Sequence, residues 1–133
     1  MNKFEYTIKV REVHSLKTKK ASLEFLSLLD TSHTMSLDHL KYTFKLATLV
    51  FKLNPRLKVT QLITHNINNL PIRIHDLAIK NKVVLDYDDL FEHSTLVPIN
   101  ITEYSLRRIL TDPKIPYDTK LPLLKIYSNL LDE

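Results

Sequence analysis

The sequence predicts a mainly helical fold, a single compact domain over residues 1–133 with about six or seven helices and a short N-terminal β-strand. Apolar residues recur at the 3.6-residue spacing of a helix in several segments, most clearly in the one after Ser36. The chain contains no glycine, although average usage of about 7% would supply roughly nine, so proline and asparagine must punctuate it. With 44% hydrophobic residues, the chain can bury a core without disulfides or metal.

The N-terminal segment alternates apolar and polar side chains, which is the pattern of a half-buried strand. The apolar positions are Phe4, Tyr6, Ile8 and Val10. A lone strand needs a partner, and residues 83–85, Val-Val-Leu, are the best internal candidate. Pairing with another chain along an exposed edge is the alternative, which leaves a homodimer open.

The next segments predict a short helix and a long one. The short helix spans about residues 20–29, and Ser36 is the expected N-cap of the long helix. The long helix has a wide apolar arc and should be central and largely buried; its first apolar row is Leu37, Leu40, Phe44, Ala47 and Phe51. Its narrow remaining face, with Lys41, Lys45 and Lys52, is expected to be solvated. Asn54-Pro55 should end it, with the asparagine in the left-handed cap conformation usually given to glycine.

The second half predicts several shorter helices. Two should span about residues 58–67 and 71–80, with Pro71 in the first turn of the latter. Asp86 is expected to cap a short acidic helix, and two further helices should cover about residues 100–110 and 118–131.

The acidic helix has a second interpretation, because its carboxylates could attract calcium or magnesium. The cluster consists of Asp86, Asp88, Asp89 and Glu92. An EF-hand requires a glycine in its loop, whereas carboxylates in a first turn are explained by the helix dipole alone. We therefore expect capping, and no metal or cofactor.

Positive charge is concentrated in the first half of the chain. Residues 1–60 contain 11 Lys or Arg and 5 Asp or Glu, a balance of +6, whereas residues 61–133 contain 8 and 10, a balance of −2. The densest cluster is Lys17, Lys19 and Lys20. A solvated connector explains this short run, and a phosphate contact is the alternative.

Residues 59–85 resemble a helix-turn-helix followed by the start of a wing. Residues 66–69 would form the turn, and Arg73 and Lys80 would project from the second helix, with Lys82 beginning the wing. In that family the second helix enters the major groove of DNA and reads base edges. The segment departs from the usual pattern in its short turn and in the single arginine of its proposed recognition helix.

The dipeptide His75-Asp76 resembles the metal-binding pair of the helical HD phosphohydrolases, with His39 in the place of the first ligand. That resemblance implies a divalent metal that activates water. The segment lacks the glycine usually seen just after the pair, and Pro71 lies four residues before the histidine. A surface histidine beside a solvated aspartate explains the same residues.

Taken together, these patterns favour recognition over catalysis. Walker loops and serine elbows need glycine, and thiol chemistry needs cysteine, of which the chain also has none. We expect a non-enzymatic domain in the cytoplasm or nucleus, not in a membrane, that binds another protein. A DNA-binding regulator is the first alternative and an HD-type phosphohydrolase the second. The expected contacts are Lys17, Lys19, Lys20, Lys41, Lys45, Arg73, Lys80 and Lys82.

Overall fold

Five helices make up most of the chain that the computed structural model describes, namely residues 1–32 and 36–93 with positions 107–108, 110–113, 117, 120–121 and 124. They are α1 (Lys3–Ser15), α2 (Lys19–Leu28), α3 (Leu37–Leu53), α4 (Gln61–Lys80) and α5 (Tyr87–Leu90). The described part contains no strand. The mainly helical fold class is confirmed, and α3 lies at its centre, in contact with the other four helices.

Helix α3 is largely buried, as its wide apolar arc predicts, and its middle is buried on all sides. Every residue from 43 to 51 is buried, which is more than two full turns. Ser36 is its N-cap, with its hydroxyl accepting a hydrogen bond from His39 N at 3.2 Å. Asn54 ends the helix and donates its backbone N–H to Val50 O. The expected left-handed conformation of Asn54 is wrong, since its φ is −134°.

The predicted N-terminal strand is wrong, because this segment forms helix α1. Asn2 caps the helix by accepting a hydrogen bond from Glu5 N at 2.8 Å. A helical stripe packs on the core; it consists of Tyr6, Val10 and Val13. Phe4 and Ile8, the other apolar positions of the alternation, stay 72% and 49% exposed. Tyr6 and Val10 thus fit both the two-residue period of a strand and the 3.6-residue period of a helix. Packing against α3 selects the helix.

The helix-turn-helix expected over residues 59–80 is not formed, because α4 runs without a break through residues 66–69 and through Pro71. One face of α4 is fully buried and comprises Ile67, Leu70, Ile74 and Ala78. Burying a large aliphatic side chain gains about 1.5–3 kcal/mol, while an interior proline costs about 3 and each asparagine less than 1. Packing therefore outweighs the local turn signals.

The end of α4 shows how this chain replaces glycine at a helix C-terminus. Val83 N donates to Ala78 O at 2.9 Å and Lys82 N donates to Ile79 O at 3.2 Å, which is the Schellman pattern. That pattern places the residue after the cap in the left-handed region, and Lys82 has a φ of 56°. A lysine thus occupies a position that most helices give to glycine.

Two of the remaining predicted helices are confirmed, one predicted strand is absent, and two predicted helices lie mostly outside the described residues. Helix α2 and the short helix α5, capped by Asp86 through Asp89 N at 3.1 Å, are where the sequence predicts them. Residues 83–85 form no strand. The helices predicted at 100–110 and 118–131 lie for the most part outside the described residues. The described residues show five helices and not six or seven, partly because two predicted helices merge in α4.

We predict that Lys82→Gly stabilises the protein by about 0.5–1 kcal/mol, because glycine adopts positive φ without steric cost. The measurement is the free energy of unfolding in urea. Lys80→Gly is the matched control: it lies in the last helical turn, so it should destabilise by up to about 1 kcal/mol. A loss of stability in Lys82→Gly equal to that of Lys80→Gly would contradict the assignment.

Candidate functional site

A half-open groove lies between α2, α3 and the first half of α4 and encloses about 250 Å³. Its apolar lining consists of Leu26, Leu29, Ala47, Leu62, Ile63, Ile67 and Leu70. Its polar lining consists of Ser27, Thr31, Thr43, Thr60 and Asn66. No charged side chain stands among these described lining residues. The groove is therefore suited to an uncharged group with a large apolar part.

Thr43 is the most unusual residue of the groove. Its side chain is 0% exposed, and its Oγ1 is buried without a hydrogen-bond partner among the described residues. Helical threonines and serines elsewhere donate to a carbonyl one turn earlier: Thr7 to Lys3 O, and Thr48 to Phe44 O and Lys45 O. An unsatisfied buried hydroxyl costs about 1–3 kcal/mol. The Thr43 hydroxyl therefore has unused hydrogen-bonding capacity in a residue of the groove wall.

The mouth of the groove lies at the start of α4. Leu62 is 70% exposed there although it also lines the groove. Thr60 caps the helix, with its hydroxyl accepting a hydrogen bond from Ile63 N at 3.3 Å. An exposed leucine beside an apolar recess offers contact area to an incoming group that reaches the groove from solvent.

Arg73 holds one wall of the groove in place. Its Nη1 donates to Thr31 O at 2.7 Å and its Nη2 donates to Ser32 O at 2.6 Å. The guanidinium thus ties the chain after α2 to α4, and Thr31 lines the groove. Arg73 was expected to reach toward a partner, but here both ends of its fork bind backbone carbonyls.

Lys45 is not on a solvated face, and that expectation is wrong. Its side chain is buried under α1 and α5, with Nζ 2.9 Å from Asp89 Oδ1 and 3.2 Å from Glu92 Oε1. The ammonium also lies 5.3 Å from the centroid of the Tyr6 ring, which stacks on Tyr42. Burial favours the neutral amine, but the hydrogen bonds to the carboxylates outweigh it and raise the pKa of Lys45. The acidic helix α5 therefore neutralises a buried lysine.

The other predicted contact residues remain on the surface. Lys17, Lys19 and Lys20 are exposed at the start of α2, and Lys80 and Lys82 are exposed at the end of α4. Lys41 is half-buried and lies 3.9 Å from Asp38. Whether any of these lysines contacts a partner stays a prediction.

The residues that resemble an HD metal site have other partners. His39 Nε2 hydrogen-bonds to Asp30 O at 2.9 Å, and its Nδ1 lies 3.4 Å from the N-terminal amine. His75 points instead to Tyr87 of α5. Within the described residues, no three His, Asp or Glu side chains are placed to hold a metal.

His75 and Tyr87 form a buried pair between α4 and α5. The Tyr87 hydroxyl hydrogen-bonds to His75 Nδ1, and burial raises the pKa of Tyr87 to about 12. The hydroxyl therefore stays protonated and can pair with either neutral tautomer of His75, whose Nε2 is a buried atom with no hydrogen-bond partner among the described residues. Burial lowers the pKa of His75, and Asp76 and Asp112 oppose this only in part.

Sequence reasoning missed the groove because its walls come from three helices whose angles depend on tertiary packing. One signal was present: Thr43 and Ala47 are small residues one turn apart within a large apolar arc. Small residues at that spacing lie on one face of a helix and leave room beside it.

The chain matches no protein-family model, no curated protein and no solved structure. In the part of the chain that is described, none of the helices is both long and apolar enough to cross a bilayer.

We predict that Arg73→Gln destabilises the protein by roughly 1–2 kcal/mol, because two charge-assisted hydrogen bonds are lost. It should also speed amide exchange in residues 29–32. Arg56→Gln, at an exposed arginine, is the control and should change neither quantity. Equal effects of the two substitutions would contradict the role assigned to Arg73.

We predict that the free energy of unfolding decreases as the pH falls from about 7 to about 5. The pKa of His75 is lowered in the folded protein, so below its ordinary value of 6.5 the unfolded chain binds more protons. Burial also lowers the pKa of His93, which adds a contribution of the same sign.

His75→Gln tests this assignment, because glutamine can still hydrogen-bond to Tyr87 but does not titrate. Urea unfolding at a series of pH values should show a shallower slope in this variant. An unchanged slope would show that His75 does not contribute.

Proposed function

We propose that this protein is a non-enzymatic recognition domain that binds a segment of a partner protein in the groove between α2, α3 and α4. The observation that supports this is the uncharged, mainly apolar lining of an open recess with an exposed leucine, Leu62, at its mouth. Recognition of a partner segment by apolar side chains that enter a groove between helices is a recurrent mode of protein binding.

The size of the groove favours a partner segment over a free small molecule. Sites for drug-sized ligands and cofactors usually enclose about 300–1,000 Å³. The groove, at about 250 Å³, is smaller and open on one side. It can take one or two side chains of a segment whose remaining residues lie on the surrounding surface.

The alternative of a DNA-binding regulator has less support. It calls for a protruding recognition helix, whereas α4 is one continuous helix with a buried face. Its Arg73 is engaged by the backbone after α2. Contact between a DNA phosphate and the exposed lysines stays open to a direct test.

Selection of peptides from a displayed random library against the immobilised full chain tests the proposal. Enriched peptides should share an apolar anchor residue. In a purified binding assay, Leu62→Gln should weaken the best peptide about tenfold or more, because a central apolar contact is lost.

Leu28→Gln is the matched control. Leu28 is 83% exposed and borders a separate recess between α1 and α2, so its replacement should leave peptide affinity unchanged. Equal loss in both variants, or no enriched peptide, would contradict the proposal.

A titration with mixed-sequence duplex DNA at about 50 and 200 mM salt tests the alternative of a DNA-binding regulator. Binding at the lower salt that falls steeply at the higher would favour the DNA-binding regulator. We expect no binding at either.

A further inference from the structure

The hydroxyl of Thr43 gives the groove a chemical preference. Thr43 lines the recess and is fully buried, and its Oγ1 has no hydrogen-bond partner among the described residues. Thr48, five residues later on the same helix, is equally buried, but its hydroxyl donates to Phe44 O and Lys45 O. Two buried threonines of one helix thus differ in that only Thr48 is satisfied within the helix.

The lining restricts the group that can satisfy Thr43. No described lining side chain carries a charge, so an ionised group would enter without a counter-charge. A purely apolar side chain would fill the recess but leave the hydroxyl unsatisfied. The occupant that fits both features has an apolar body and an uncharged polar tip.

Size and hydrogen-bonding capacity favour a tyrosine side chain. A recess of about 250 Å³ can hold a single aromatic ring with its immediate contacts. A phenolic hydroxyl both donates and accepts, so it pairs with a threonine hydroxyl in either orientation, whereas an indole N–H only donates. Tyrosine is also enriched among the residues that dominate binding energy at protein interfaces.

On these grounds, and resting on the proposed function, we infer that the groove binds a tyrosine side chain of the partner, with its hydroxyl bonded to Thr43 Oγ1. The ring packs between Ala47, Ile63 and Ile67, and the partner backbone passes over Leu62. The threonine is thus a specificity-determining residue for the partner.

Side-chain analogues test this inference without knowledge of the partner. The full chain is titrated with p-cresol, toluene and 3-methylindole, which represent tyrosine, phenylalanine and tryptophan, and amide shifts of Ala47, Ile63 and Ile67 are followed by NMR. We expect p-cresol to bind about five- to tenfold more tightly than toluene, the range of one neutral hydrogen bond. It should also bind more tightly than 3-methylindole.

Three variants make the result specific. Thr43→Val should abolish the preference for p-cresol, and Thr43→Ser, which keeps the hydroxyl, should retain it. Thr48→Val is the matched control and should leave the preference unchanged. In urea, Thr43→Val should unfold at a higher midpoint than the unsubstituted chain, and Thr48→Val at a lower one, because only the Thr48 hydroxyl is satisfied in the free protein.

The outcomes separate the two proposals. Equal binding of p-cresol and toluene at the groove, or tighter binding of 3-methylindole, would overturn the inference about tyrosine and leave the groove as a recognition site. A preference that survives Thr43→Val would also overturn it. No shift of the groove amides with any analogue, together with no enriched peptide from the library, would overturn both.

Discussion

The all-round burial of α3 is the constraint on which the other features depend. Nine consecutive residues, 43–51, are buried, so each side of this helix needs a neighbour. Helices α1, α2, α4 and α5 provide these contacts. The edge contact between Phe44 and Phe91, with ring centroids 5.5 Å apart, and the pairing of Lys45 with α5 join the second half of the chain to this helix. The groove forms where small residues of α3 leave space between α2 and α4.

Buried polar groups around α3 divide into satisfied and unsatisfied ones. Lys45 has two carboxylates and a tyrosine ring, and Thr48 has two carbonyls. Thr43 has no described partner, and it is the one of these three that lines an opening to solvent. Unsatisfied buried polar groups are rare in folded proteins, so each one calls for an explanation. This contrast within a single helix supports assigning function to the groove.

The sequence predicted those parts of the fold that depend on local chemistry. The caps at Ser36 and Asp86, the end of α3 at Asn54 and the buried character of α3 follow from short-range patterns. Short-range patterns did not predict α1 and the unbroken α4. Alternating apolar residues in α1 favour a strand locally, and the asparagines and Pro71 in α4 favour a turn. Packing on α3 decides both cases. The groove was beyond prediction for the same reason, since it exists only once three helices are packed.

The lack of glycine has a structural meaning at one place in particular. Lys82 takes the left-handed position that ends α4, at a cost in stability that glycine would not carry.

The measurement that tests the central claim most directly is a structure of the full chain bound to the tightest selected peptide. The account predicts a peptide side chain in the groove with a polar atom within hydrogen-bond distance of Thr43 Oγ1. A peptide bound elsewhere, for example on exposed Phe4 and Ile8 of α1, with the groove unchanged, would contradict it.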